Sequence, residues 1–70
     1  MTYEKALEES KRSGISRAKG LPHLALTIQS LAMAHAIAPA LVYEGARKRR
    51  LTAAQVRKLG PVALGDLMFT

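Results

Sequence analysis

Between Lys19 and Glu44 the chain runs for 24 residues without a formal charge, although its other segments carry one at about every third position. As a helix, Pro22 to Tyr43 would be roughly 32 Å long, close to the ~30 Å hydrocarbon core of a bilayer. Lys11, Arg12, Arg17 and Lys19 precede the stretch, and Arg47-Lys48-Arg49-Arg50 follow it. A neutral apolar rod with cations at both ends is the pattern of a single membrane crossing. Mean hydropathy over Leu24–Val42 sits at the level that marks a span. The competing reading is a buried central helix of a small bundle. Against it, residues 1–20 and 44–70 hold few large apolar side chains to sheathe a rod that is apolar on every face, and there is no cysteine for a disulfide. The predicted fold is therefore all-α. One long transmembrane helix occupies 21–46, and a short N-terminal surface helix with a polar connector occupies 1–20. A basic exit, a short capped helix over 53–59 and an extended tail make up 47–70.

Local signals define the two ends. Thr2 is placed to N-cap a first helix, with Glu4 in its positive first turn and Lys11 and Arg12 in its last. Glu8 and Arg12 form an i,i+4 pair, and Gly14 stops the helix. Its apolar side, Tyr3, Ala6 and Leu7, is thin, so the helix is expected to be ordered only on a partner or a headgroup layer. Thr52 and Gln55 form a capping box, with Leu51 and Val56 as the matching hydrophobic staple. Gly60-Pro61 then predicts a left-handed stop. The tail over 62–70 is apolar apart from Asp66 and is expected to dock on another subunit.

Within the long helix, Ala25, Gln29, Ala32, Ala36 and Ala40 share one narrow face. Small residues at this spacing let a neighbouring helix approach closely, and Gln29 would seek an interhelical hydrogen bond. Pro39 removes a helix donor and predicts a bend, whereas Pro22 fits the first turn. His35 is the one residue of the span with chemistry to offer: an axial haem or chlorophyll ligand, a proton relay, or a hydrogen-bond donor to a neighbour. His23 belongs to the headgroup region and lies too far along the helix to share a ligand with His35. The run Arg47, Lys48, Arg49 and Arg50 reads as a membrane exit on anionic headgroups or an acidic neighbour. A solvated charge run without function is the second reading, and a nucleic-acid patch the least favoured, because interleaved aromatics are missing.

A net charge of +6 on 70 residues favours an anionic partner in any case. The apolar stretch is too long for a secretory signal, and Glu4, Glu8 and Glu9 are foreign to a mitochondrial transit peptide. There is no phosphate loop, paired-carboxylate site, metal-ligand spacing or nucleophile with an evident base, so neither enzymatic activity nor a cofactor is expected.

A short polar N-terminus, an Ala-rich span, a basic exit and a small capped helix resemble the supernumerary single-pass subunits of respiratory-chain complexes. The stretch Tyr43-Glu44 to Arg50-Leu51-Thr52-Ala53 is similar to the span-exit region of the MNLL-type accessory subunits of complex I. The resemblance implies a non-catalytic accessory subunit of a mitochondrial inner-membrane complex, among other membrane subunits. The excess of Lys and Arg after the span over those before it separately favours a C-terminus on the matrix side. The alternatives are a soluble basic RNA-binding or organellar ribosomal protein, and a haem- or pigment-ligating membrane subunit using His35.

Overall fold

The long apolar segment does not continue as one helix. The computed structural model describes residues 1–14 and 17–69, so Ile15 and Ser16 of the expected connector, and Thr70, lie outside it. Helix α1 spans Tyr3–Ser13, α2 Gly20–Ala34, α3 Pro39–Lys48, α4 Ala53–Arg57 and α5 Pro61–Asp66, and a 3₁₀ turn, Leu67–Phe69, ends the described chain. No helix among the described residues is long and apolar enough to cross a membrane. The expectation of one transmembrane helix over 21–46 is thus overturned, while the all-helical composition stands.

The reason lies at residues 35–38. Pro39 cannot donate to a preceding carbonyl and disfavours helical backbone at Ala38, which is extended at φ −68°, ψ 110°. Ala36 turns left-handed at φ 55°. The Ile37 N–H then reaches the Ala32 carbonyl at 2.8 Å and the Ala36 N–H the Met33 carbonyl at 3.2 Å, which is a Schellman closure of α2. Pro39 becomes the first residue of α3, where its missing donor is not needed. The anticipated bend is a full break, and α3 packs back on α2.

This fold-back solves the sheathing problem that argued for lipid. Two shorter helices bury only selected faces, so far less covering surface is needed. Helix α2 is central and contacts α1, α3 and α4. Its Leu24, Ala25, Ile28 and Ala32 meet Val42, Tyr43 and Ala46 of α3, Tyr3 and Ala6 of α1, and Val56, Leu64 and Leu67 of the C-terminal elements in one core. Full burial of a side chain such as Ile28 is worth about 2 kcal/mol. Met33 and Leu41 remain exposed, as the two-sided packing permits.

The terminal signals are realised, with changed partners. Thr2 caps α1 through Lys5 N–H, and Gly14 ends it at φ 84°. Helix α1 lies on this chain's own α2 rather than on a headgroup layer. Its buried Ser10 hydroxyl donates to the Leu7 carbonyl at 2.7 Å. The Thr52–Gln55 capping box is present in both directions, at 3.2 and 2.8 Å. Helix α4 nevertheless ends at Arg57, and Gly60 is extended at φ −84°, ψ 174°, starting α5 rather than stopping α4. The apolar tail is helical and docks on α3 of the same chain. That contact requires Gly45, because a Cβ there would lie 1.8 Å from the Leu67 carbonyl oxygen.

Candidate functional site

The end of α3 repeats the chemistry of the end of α2. Arg50 is left-handed at φ 55°, the Leu51 N–H bonds the Ala46 carbonyl at 3.0 Å and the Arg50 N–H bonds the Arg47 carbonyl at 3.0 Å. This second Schellman turn reverses the chain so that α4 runs back against α2. Between the turn, the start of α2 and α4 lies an open groove of about 640 Å³. Leu21, Leu24, Leu51, Ala53 and Ala54 contribute its apolar lining, and Arg47, Arg50, Arg57 and His23 its cations and its imidazole. Among the described residues no carboxylate lines it.

Arg57 connects this groove to its neighbour. Its guanidinium is 3.2 Å from His23 Nε2 and 3.5 Å from Thr27 Oγ1. Arginine is a donor only, so Nε2 is the acceptor in this contact, and the other ring nitrogen, Nδ1, is buried without a partner among the described residues. His23 and Arg57 also line a second concavity of about 340 Å³, together with Leu26, Thr27, Ser30 and Leu31. The Arg57–His23 pair is therefore a shared wall between two apolar-floored hollows.

The basic run divides. Arg47 donates to the Met1 carbonyl and lies 3.8 Å from Glu44, which ties the N-terminus to α3 and partly offsets its charge. Arg50 and Arg57 make no ion pair with a described residue, and Lys48 and Arg49 are exposed but do not line the groove. By contrast, Arg12 on α1 is neutralised locally by Glu8 at 3.2 Å and Glu9 at 3.5 Å. Such exposed pairs contribute only a few tenths of a kcal/mol to stability, but they remove the charge from use. Helix α2 also begins beside the groove with no side-chain cap, so its positive end faces the same region.

The residues expected to form a helix-packing seam are dispersed. Ala25 and Ala32 are fully buried in the chain's own core, and Gln29 is partly buried. Ala36 is exposed in the left-handed turn, and Ala40 belongs to α3. With the helix broken, the five no longer share a face. His35 is the exposed C-terminal cap of α2 and lines neither hollow. His23, assigned to a headgroup region, instead meets Arg57. Tyr43, the one aromatic close to the basic run, is fully buried against Tyr3, with ring centroids 5.7 Å apart. Burial raises the Tyr43 phenol pKa; the nearby Arg47 guanidinium lowers it and Glu44 raises it further. The same desolvation, helped by Glu4, raises Tyr3.

Sequence reasoning located the Arg47–Arg50 run but missed Arg57 and His23. They are 34 positions apart, and no local pattern marks their contact. Compared with family models, with curated proteins and with solved structures, the chain matches none.

Proposed function

We propose that this chain is a nucleic-acid-binding module, non-catalytic, that takes backbone phosphates on Arg50, Arg57 and the cations beside them. The observation that carries the reading is the meeting of Arg47, Arg50, Arg57 and His23 around a groove free of carboxylates, in a chain of net charge +6. Guanidinium groups match phosphate oxygens bidentately, and arginines without an ion pair among the described residues keep their full charge for such a ligand. A bilayer surface fits this edge less well. Membrane-binding faces present a broad apolar face beside their cations, whereas of the groove's leucines Leu24 is buried, Leu51 is half-buried and Leu21 alone is exposed. The accessory-subunit expectation rested on a span that the fold does not contain, and no feature of the groove favours it.

The test is equilibrium binding of short labelled oligonucleotides across a salt series. Three or four phosphate contacts imply a slope of log affinity against log salt of about −3. Arg57→Gln should weaken binding and reduce that slope by about one, as loss of a single phosphate contact does, while Arg12→Gln should change neither. Binding that is absent or indifferent to salt, or confined to anionic vesicles, contradicts the reading.

A further inference from the structure

The geometry points to single-stranded nucleic acid as the ligand class, with the phosphate between two successive nucleotides on Arg57 and their unstacked bases in the hollows on either side of it. This inference rests on the nucleic-acid reading above and adds to it the choice of strand and the seat of the bases.

Three features support it. First, the cations stand over apolar floors, Leu21, Leu24 and Leu51 on one side and Leu26 and Leu31 on the other. A duplex presents phosphates and hides its base faces, so it would leave both floors wet. No phenylalanine, tyrosine or tryptophan lines either hollow among the described residues. An unstacked base nevertheless offers a flat apolar face that leucine floors can cover and that the Arg57 guanidinium can meet by cation–π contact. Second, the hollows share the Arg57–His23 wall, so one phosphate there lies between two adjoining receptacles, matching the order base, phosphate, base along a strand. Third, polar groups sit within the apolar lining. Thr52 Oγ1 accepts from the Gln55 N–H and keeps its own proton to donate, and the Ser30 hydroxyl borders the second hollow. A heterocycle has edge groups to meet them, and a hydrocarbon chain has none.

Ala54 and Ser30 are exposed residues of the two linings, so Ala54→Leu and Ser30→Leu fill one hollow each without altering charge. Anisotropy with oligothymidylate, with a duplex of equal length and with anionic phosphatidylglycerol vesicles reads the outcome. The strand is expected to bind about tenfold more tightly than the duplex, and each variant to weaken the strand by about tenfold while leaving the duplex unchanged. In the unaltered protein, permanganate reactivity of the bound thymines should fall, a measurement that depends on no variant. Equal affinity for strand and duplex, unaffected by either substitution and with thymines fully reactive, overturns this inference and leaves the phosphate reading intact. Binding to neither nucleic acid, with or without binding to vesicles, overturns both.

Discussion

The two helix-ending turns, Ala32–Ile37 and Ala46–Leu51, share one hydrogen-bond pattern and one φ of 55°, yet they do different work. The first is left-handed at Ala36, which is exposed, and borders neither hollow; its task is to fold α3 back onto α2. The second ends in Arg50, whose backbone takes the conformation that favours glycine and whose side chain lines the groove. Each non-glycine residue in that conformation costs about 1–2 kcal/mol. At Ala36 nothing visible compensates for that cost. At Arg50 the cost accompanies a cation that lines the groove, where the proposed phosphate ligand would sit.

The comparison can be broken most severely from beneath the second turn. Gly45 immediately precedes Ala46, whose carbonyl accepts the Leu51 N–H, and it also admits the Leu67 backbone. Gly45→Ala should cost about 3 kcal/mol in denaturant unfolding, because the clash is with backbone that cannot rotate away. A cost below about 0.5 kcal/mol would show that the tail is not seated on α3 as described.

Ala36→Gly and Arg50→Gly sharpen the comparison directly. Both should stabilise the fold by about 1 kcal/mol or slightly less, since relief of the left-handed backbone is partly offset by the freer unfolded chain. Thermal or urea unfolding reads both variants. A destabilisation at either site would mean that the turn is held by its side chain rather than strained by it.

Smaller effects come from the tyrosine pair that joins α1 to α3. The Tyr43 hydroxyl is buried without a hydrogen-bond partner, so Tyr43→Phe should leave stability unchanged or raise it by up to about 1 kcal/mol. Both tyrosines hold their proton more tightly in the folded chain than in the unfolded one. Their contribution is therefore complete below the usual phenol value of about 10 and declines as pH rises through it, because the unfolded chain ionises first. Unfolding midpoints measured on either side of that pH should fall on the alkaline side, and Tyr43→Phe should reduce the fall.

What could be read in advance was local. Thr2, Gly14 and the Thr52–Gln55 box act between neighbours in sequence, and they behave as their chemistry dictates. Pro39 announced an interruption, but Ala36 carries no glycine signal for a left-handed turn, so a kink and a full reversal looked alike. Apolarity summed over 24 residues could not distinguish lipid from the chain's own α1, α3 and α4 as the covering surface. Half of the proposed site, Arg47 and Arg50, belongs to the legible basic run, whose Lys48 and Arg49 do not line the groove. The other half, Arg57 with His23, depends on α4 returning across α2, a long-range contact that no spacing encodes.

The most direct measurement is the affinity of Arg50→Gly for a single-stranded oligonucleotide at low salt, compared with that of the parent protein. A variant that melts higher yet binds about tenfold more weakly, with its salt slope reduced by about one, is what the groove requires. A variant that melts higher and binds as tightly as the parent would remove Arg50 from the site and contradict the claim that the second turn exists to present it.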